Sequence, residues 1–238
     1  MDYFYADPSD IRGQTLVLRG NEHNHLARVL RKKVGDRIAV TDGLDNSYRV
    51  VIRSLERHVA ECEILETKAH FNEPAVEVTL AASLLRNPAR FDFLVEKATE
   101  AGVRTIIPLR CERTVPKHEK HARWEKIALA ALKQSGRSHL PEISALTEFG
   151  ELAPHASDYL LRLIPHEGTD VSSFVSEILK RHALADSILI AVGPEGGFSE
   201  RELELARGHD FLPVSLGPRR LRSETAALLA LGWCVGGQ

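Results

Sequence analysis

The sequence predicts an α/β protein with a parallel sheet covered by helices on both faces, preceded by a small β-rich unit. Short β-branched or alternating segments fill roughly the first 70 residues, whereas strand and helix patterns alternate over the rest of the chain. Glycine-rich turns follow two of the later apolar strands, as in proteins that bind ligands at the carboxyl edge of a sheet. A chain of 238 residues accommodates two domains, and we place them at residues 1–70 and 71–238.

The small unit combines four strands with one basic helix. The turn pairs Asp42-Gly43 and Asp45-Asn46 separate segments of β-branched or alternating residues. Apolar residues recur at helical spacing over residues 21–33, with Asn21 placed to cap the start of this helix and Gly35 to end it. Residues 67–74 are predicted to form a linker. The predicted strands are residues 16–18, 37–41, 48–53 and 59–65.

The large unit is predicted from regular alternation of strand and helix. Alternation in units this short is typical of a parallel sheet, because each crossover helix returns the chain to the same edge. Gly102 follows the first helix at the position where a left-handed residue ends many helices. The predicted strands are residues 76–81, 105–109, 159–164, 187–192 and 211–216. The predicted helices are residues 91–101, 123–135, 171–182, 200–207 and 224–233.

Composition limits the class of protein. The chain is 43% hydrophobic and 27% charged, as in ordinary globular proteins, and no apolar run reaches the ~20 residues that span a bilayer. Its three cysteines lie far apart without a CxxC pair, which argues against a disulfide framework and fits a reducing cytosol. Two histidine pairs have metal-like spacing but lack a third ligand nearby. We therefore expect a cytoplasmic protein with no membrane segment and no metal.

Basic residues are clustered although the net charge is −2. Residues 19–37 carry six Lys/Arg against two acidic residues, and residues 110–139 carry eight against three. Two basic clusters on an otherwise acidic chain indicate a localised surface for a polyanion such as RNA. Solvated helix faces are the alternative interpretation of each cluster taken alone.

The segment Gly193-Pro-Glu-Gly-Gly197 follows an apolar strand and precedes a helix. It lacks the lysine of a phosphate-binding P-loop and the spacing of a dinucleotide-binding fingerprint. Glu195 would also repel a phosphate at a helix N-terminus. The ligand is therefore expected to lack phosphate and to tolerate a nearby carboxylate, as a cation does; a tight turn without a ligand is the alternative.

A second loop repeats this arrangement near the C-terminus. Leu216-Gly-Pro-Arg-Arg-Leu-Arg-Ser-Glu-Thr-Ala226 follows another apolar strand and leads into a small, apolar helix suited to packing in a core or a dimer. GPEGGFS and LGPRRLRSETA together resemble the paired motifs of the SPOUT class of S-adenosylmethionine-dependent RNA methyltransferases. The nearer resemblance is to RsmE-type enzymes, which methylate N3 of a uridine in 16S ribosomal RNA.

Further segments extend the resemblance over nearly the whole chain. Residues 25–31, 93–103, 108–113 and 133–137 are similar to that family. Residues 86–90 depart from it, since relatives more often begin this segment with lysine, but Arg86 keeps a cation there. The resemblance implies a trefoil knot at the C-terminal end of the α/β domain, an N-terminal PUA-like barrel that binds RNA, and an obligate homodimer. It also implies S-adenosylmethionine as cofactor and 16S ribosomal RNA of the small subunit as partner.

S-adenosylmethionine fits the glycine loops, because it carries a sulfonium cation and no phosphate. The resemblance implies that the two loops lie at neighbouring strand ends and enclose it, although Leu216 and Leu221 are equally explained as core leucines. The implied cofactor-binding residues are Gly193, Pro194, Glu195, Gly196, Leu216, Gly217, Leu221, Arg222, Thr225 and Ala226.

Methylation at N3 of uracil requires removal of a proton or stabilisation of negative charge on the base. We expect Arg222 to supply the cation and Glu224 to act as base or orienting group, with a structural role at the helix start as the alternative for Glu224. Two other functions stay open: methylation of another ribosomal or transfer RNA base, and a catalytically silent RNA-binding factor in ribosome assembly. The predicted RNA-binding residues are Arg28, Arg31, Lys32, Arg110, Arg113, Lys133 and Arg137.

Overall fold

The computed structural model describes residues 3–116, 118–167 and 173–236. They form two compact units. The first contains the chain up to Glu73 together with Leu129–Leu140, and the second contains Pro74–Ala128 and the chain from Pro141 onward. The sequence predicts a single division near residue 70; it does not predict that Leu129–Leu140 belongs to the first unit.

The first unit is a six-stranded sheet in the order β1-β4-β5-β6-β3-β2, in which β1 and β4 are parallel and the other pairs antiparallel. Its inward side chains, such as Phe4, Leu18, Ile38 and Ile52, are fully buried. All four predicted strands are present. β6 extends into the predicted linker, where Lys68 pairs with Ser47, so the linker prediction is wrong for its first residues. The strands are β1 (Tyr3–Tyr5), β2 (Ile11–Arg12), β3 (Thr15–Arg19), β4 (Arg37–Thr41), β5 (Asn46–Leu55) and β6 (Val59–Ala69).

The basic helix of this unit is shorter than its apolar spacing predicts. It consists of α1 (Gly20–Asn24) and a π-helical turn (His25–Val29). Arg31 adopts a positive φ of 53°, and the Lys32 N–H bonds to the Leu26 carbonyl at 3.1 Å, which closes the helix early. Both predicted caps are wrong, because Asn21 lies inside α1 and Gly35 lies well beyond the helix end.

A buried ion pair attaches Leu129–Leu140 to the first unit. The guanidinium of Arg137 donates to Glu73 Oε2 from Nε at 3.1 Å and from Nη2 at 2.5 Å. Glu73 Oε1 accepts the backbone N–H groups of Ser138 and His139 at 2.8 and 2.9 Å. The side chains of Arg137 and Glu73 are only 3% and 6% exposed, so this pair belongs to the interior of the unit.

The second unit contains the predicted parallel sheet. The strand order is β10-β8-β7-β12-β11-β13, with β9 also paired to β8, and every described pair is parallel. The two-residue strands were not predicted, since they are too short to show periodicity. The strands are β7 (Glu77–Ser83), β8 (Thr105–Arg110), β9 (Glu142–Ile143), β10 (Thr147–Glu148), β11 (Leu161–Pro165), β12 (Ser187–Val192) and β13 (Leu212–Val214).

Helices connect these strands. α2 and α7 pack against each other, and α7 packs on β7 and β12. A separate cluster around Phe149, Phe198 and Phe211 takes residues from β7, β8 and β12 together with α4 and α6. The third predicted helix, residues 171–182, corresponds to α5, and its first two residues lie outside the described residues. The helices are α2 (Pro88–Ala101), α3 (His121–Ser135), α4 (Phe149–Leu152) with a 3-10 helix (Ala153–Asp158), α5 (Val175–Arg181), α6 (Glu200–Gly208) and α7 (Ser223–Gly236).

Gly102 ends α2 as the sequence predicts. Its φ of 105° is in the left-handed region, and its N–H bonds to the Thr99 carbonyl at 3.2 Å. A Cβ at this position would lie 2.5 Å from Cγ of Pro74, so both conformation and space require glycine. Separately, within the part of the chain that the structure describes, no helix combines the length and hydrophobicity needed to cross a membrane.

Candidate active site at the carboxyl edge of the parallel sheet

Four of the loops at the carboxyl edge of the parallel sheet carry the residues that concern the site. Three of them follow the adjacent strands β8, β7 and β12, and the fourth follows β13. We name residues 193–197, after β12, the GPEGG loop, and residues 216–222, after β13, the GPRR loop. β11 separates β12 from β13, so the expectation that these loops follow neighbouring strands is wrong.

The GPEGG loop is a tight turn packed on an aromatic ring. The Gly197 N–H bonds to the Pro194 carbonyl at 2.9 Å, and Gly197 has a φ of 69°. A Cβ on Gly193 would lie 3.1 Å from the ring of Phe198, which is buried against Phe149 at a centroid distance of 4.8 Å. The first two residues of the loop are buried, whereas Glu195 and Gly196 are exposed. The glycines therefore let the backbone pass close to the core while the loop tip faces outward.

Arg113 fastens the GPEGG loop from the loop after β8. Its Nη1 donates to the Gly196 carbonyl at 2.8 Å and to the Phe198 carbonyl at 3.1 Å. The sequence predicts Arg113 as an RNA-binding cation; Arg113 is exposed as well as bonded to this loop, and its contact with RNA stays a prediction. Glu202 forms a capping box with Ser199 at the start of α6, and its Oε1 accepts the Glu112 N–H at 2.9 Å. The loops after β8 and β12 are thus held together by side chains from both.

Cys111 lies at the same edge, directly after β8. Burial, with a smaller effect of the Glu202 carboxylate, raises the pKa of its thiol to about 12. Because the nucleophilic form of cysteine is the thiolate, this residue is chemically silent near neutral pH.

The GPRR loop is anchored by a short parallel bridge. The Ser215 N–H bonds to the Ser173 carbonyl at 3.0 Å, and the Val175 N–H bonds to the Ser215 carbonyl at 3.1 Å. Gly217 has a φ of 108°, a left-handed conformation that disfavours other residues. Leu216 and Leu221 are half-buried rather than core residues, and Arg222 is exposed. Thr225 is exposed and Ala226 half-buried in the first turn of α7.

Glu224 is the buried carboxylate of this edge. It is the second residue of α7 and is only 7% exposed. Its Oε1 lies 3.6 Å from Nε of Arg90, while its Oε2 is buried and has no hydrogen-bond partner among the described residues. A buried carboxylate oxygen without a donor is uncommon in proteins and frequently marks a position that a ligand or water completes.

The segment Arg86–Arg90 connects the two glycine loops. The Arg86 N–H donates to Glu195 Oε1 of the GPEGG loop at 3.0 Å. At the other end of the segment, Arg90 pairs with Glu224 just after the GPRR loop. Asn87 caps α2 between them by accepting the Ala89 N–H at 3.0 Å. The two predicted loops are therefore joined through a third segment. The sequence predicts no role in the site for this segment, although two arginines that follow a strand were a signal that could have indicated one.

Apart from Arg113, the predicted RNA-binding cations fall into three groups. Arg28 and Arg31 are exposed, and Lys32 is half-buried. Lys133 pairs with Glu22 at 2.6 Å, and Arg110 pairs with Glu148 at 2.9 Å on the surface. Arg137 is a correction: it is enclosed in the ion pair with Glu73, so its guanidinium does not reach a phosphate in this structure.

One histidine of each predicted pair, His23/His25 and His118/His121, hydrogen-bonds a backbone carbonyl. His23 is buried and its Nε2 lies 2.9 Å from the Glu56 carbonyl, and His121 Nε2 lies 2.6 Å from the Ile143 carbonyl. Within residues 3–116, 118–167 and 173–236, no cluster of three or more His, Cys, Asp or Glu side chains has the arrangement of a metal site.

Loops at the carboxyl edge of a parallel sheet, a buried carboxylate among them and a separate small sheet unit are the features of an α/β protein with a ligand site at that edge and an accessory domain. Comparison with known proteins identifies the family. The chain belongs to the RNA methyltransferase family, because the model of the RNA methyltransferase domain matches residues 72–235 and that of the RNA methyltransferase PUA domain matches residues 18–65.

Individual relatives agree with this assignment. The chain is 35% identical to a Ribosomal RNA small subunit methyltransferase E from Synechocystis, over 94% of this chain and 74% of that one. A protein of the same name from Bacillus subtilis is 30% identical over 91% and 88% of the two chains. The crystal structure of the Neisseria gonorrhoeae protein of that name, bound to S-adenosyl methionine, aligns with a TM-score of 0.84 at 32% identity, covering 97% and 95%. The predicted fold class and the resemblance to RsmE-type enzymes are confirmed, and the knot stays a prediction.

Proposed function

We propose that the protein methylates N3 of a uridine in 16S ribosomal RNA, with S-adenosylmethionine as the methyl donor. Relatives named as small-subunit ribosomal RNA methyltransferases cover most of the chain, and one aligned structure holds S-adenosyl methionine. The observation that carries the proposal is the linked pair of glycine loops beside a buried, unpartnered oxygen of Glu224. Because the substrate is ribosomal RNA, we place the protein in the cytoplasm.

The residues of this edge fit an adenosyl sulfonium ligand. The GPEGG loop brings backbone groups close without side-chain bulk, and half-buried Leu216 and Leu221 offer apolar surface for an adenine ring. Within the described residues no lysine of the P-loop kind lies in either loop, and Glu195 disfavours phosphate. When bound, S-adenosylmethionine supplies an electrophilic methyl group. The proposed binding residues are those of the sequence prediction: Gly193, Pro194, Glu195, Gly196, Leu216, Gly217, Leu221, Arg222, Thr225 and Ala226.

Two side chains of this edge act on the uracil ring. N3 of uracil carries a proton, and the nitrogen becomes a useful nucleophile only as that proton leaves. The Glu224 carboxylate accepts the N3 proton, while the exposed Arg222 guanidinium stabilises negative charge that develops on O2 and O4. Holding base and methyl donor in line contributes a large part of the rate, about 7–11 kcal/mol in favourable cases.

The RNA surface is proposed to use cations of both units. Arg28, Arg31 and Lys32 lie on or near the basic helix of the first unit, and Arg110 and Lys133 form ion pairs that phosphate can compete for. Each phosphate contact should add about 0.7–0.9 to the log–log slope of affinity against salt concentration. An affinity that does not depend on salt would contradict this surface.

A homodimer is proposed from the exposed apolar residues of α7. Leu229 and Trp233 are 44% and 41% exposed on this helix, and Phe93 of α2, the helix packed against α7, is 46% exposed. Large apolar side chains exposed on a helix of a folded unit indicate an interaction surface. Sedimentation equilibrium should give twice the chain mass, and Leu229→Asp should shift the protein toward monomer; a monomeric parent protein would contradict the proposal.

The test of the activity is transfer of a labelled methyl group to small ribosomal subunits and to naked 16S RNA, with the modified base identified by mass. We expect label at N3 of one uridine. Label on another ribosomal or transfer RNA base would change the substrate, and failure to bind S-adenosylmethionine would favour a catalytically silent RNA-binding factor. Glu224→Gln should lower the single-turnover rate at saturating cofactor about 100- to 10,000-fold. Glu200→Gln, which changes an exposed first-turn glutamate of α6, is the matched control.

A further inference from the structure

Arg90 forms an ion pair with the buried Glu224, and the predicted roles of the two glycine loops do not account for this arginine. We propose that Arg90 is a positioning residue, which holds the Glu224 carboxylate through Oε1 in the orientation in which that carboxylate acts on the target base. The inference rests on the proposed function, because it assigns a role to a residue of the same site.

The burial of Glu224 makes an orienting partner necessary. With 7% of its surface exposed, the carboxylate has little water to stabilise its charge or fix its direction. The N-terminus of α7 favours a negative charge in its first turn but does not choose between the two oxygens. Arg90 Nε lies 3.6 Å from Oε1, whereas Oε2 is buried and has no hydrogen-bond donor among the described residues, so the surroundings of the two oxygens differ.

The position of Arg90 is set by the start of α2. The Asn87 cap and Pro88 fix the first turn of α2, and Arg90 is the third residue of that helix. α2 packs against α7, which carries Glu224, so both partners stand on helices rather than on loops. The Arg86 N–H bond to Glu195 fixes the preceding segment. Residues held on packed helices keep a catalytic geometry more accurately than loop residues do.

The Nε–Oε1 separation of 3.6 Å describes an ion pair, since a direct hydrogen bond at this atom would be shorter. Charge at this place therefore matters more than the fork geometry of the guanidinium. Lysine at position 90 should preserve part of the effect, whereas alanine should remove it. The Arg90 side chain is 34% exposed, which leaves a phosphate contact with RNA as the competing role.

Arg104 provides a matched control in the same unit. Its Nε also lies 3.6 Å from a glutamate Oε1, that of Glu77, and its side chain is 33% exposed. The difference lies in the glutamate, because Glu77 is 66% exposed and far more hydrated than Glu224. Removing Arg104 thus deletes a similar arginine–glutamate contact, but one made to an exposed glutamate.

The experiment measures single-turnover methyl transfer to small ribosomal subunits, together with the RNA concentration at half-saturation. We expect Arg90→Ala to lower the saturating rate on the order of 10- to 100-fold with less than about a threefold change in half-saturation. Arg90→Lys should recover about tenfold of a 100-fold loss, and Arg104→Ala should stay within about twofold of the unmodified protein. Added to Glu224→Gln, Arg90→Ala should slow the reaction by less than a further twofold, because both act through one carboxylate.

Two kinetic results would overturn the proposal. A raised half-saturation with an unchanged saturating rate would make Arg90 an RNA contact, and a rate loss that multiplies with that of Glu224→Gln would make it independent of Glu224. The same double-mutant cycle on the thermal unfolding of the ligand-free proteins separates this inference from the proposed function. If the unmodified protein transfers no methyl group, the proposed function fails; non-additive shifts in melting temperature then still support the pair, and additive shifts overturn it.

Discussion

Replacing Arg137 by methionine should destabilise the first unit. The substitution keeps much of the side-chain volume but leaves the Glu73 carboxylate, 6% exposed, without its counter-ion. Breaking a buried pair from one side costs about 3–5 kcal/mol. Glu73 Oε1 retains the N–H groups of Ser138 and His139, so we expect the lower end of this range, about 3 kcal/mol. For a urea dependence of ~2 kcal/mol per molar, the midpoint should fall by about 1.5 M.

The assay is urea unfolding followed by far-ultraviolet circular dichroism. Tryptophan fluorescence is the wrong probe for this change, because Trp124 and Trp233 both lie in the second unit. Arg28→Met is the control, since Arg28 is exposed: its stability should change by less than ~0.5 kcal/mol. The opposite order is expected for RNA binding. Arg28→Met should lower the log–log slope of RNA affinity against salt concentration by about 0.7–0.9, and Arg137→Met should leave this slope unchanged. A stable Arg137→Met protein with a reduced salt slope would refute the assignment of this residue to the interior.

Three further predictions follow from backbone conformation and burial. Gly102→Ala should lower the free energy of unfolding by about 2–5 kcal/mol, because the alanine would have a positive φ and its Cβ would contact Pro74. Gly150→Ala is the control: nothing lies within 4 Å of the new Cβ, and the free energy of unfolding should rise by about 0.4–1 kcal/mol. Equal effects of the two substitutions in urea unfolding would contradict this prediction. Gly193→Ala should displace the loop from Phe198 and weaken S-adenosylmethionine binding about tenfold by calorimetry, and unchanged affinity would remove this loop from the site. Burial raises the pKa of all three cysteine thiols from 9.0 to about 12. The contribution of the protonated thiols to stability is therefore complete below pH 9 and is lost as the pH rises toward 12, so the urea midpoint should fall over this range. Rapid reaction of any thiol in the folded protein at about pH 8 would contradict this prediction.

The architecture of the second unit was accessible from the sequence because its signals are local. The apolar run of β12 and the left-handed Gly102 after α2 are each determined by residues within one element. Strand–helix alternation then predicts a parallel sheet, and the carboxyl edge follows as the ligand side. The same reasoning placed both glycine loops at that edge, although it did not reveal that β11 lies between their strands.

Interactions between distant residues were not accessible in this way. Arg137 stands in a basic run that is typical of an exposed surface, and its partner Glu73 is 64 residues away. Arg113 likewise resembles a free cation, but the carbonyl groups that it binds belong to another strand connection. The basic helix was overestimated because hydrophobic spacing continues past Val29, whereas a positive φ at Arg31, which no periodicity reports, ends the helix.

The return of Leu129–Leu140 to the first unit has a consequence for the order of events during synthesis. A nascent chain that has just been extended to Glu73 still lacks Arg137, so the buried ion pair of the first unit forms only after 64 further residues have been added. A fragment ended at Glu73 would therefore leave the Glu73 carboxylate without its counter-ion, and the first unit is not obtained whole by cutting between the two regions that the family models recognise.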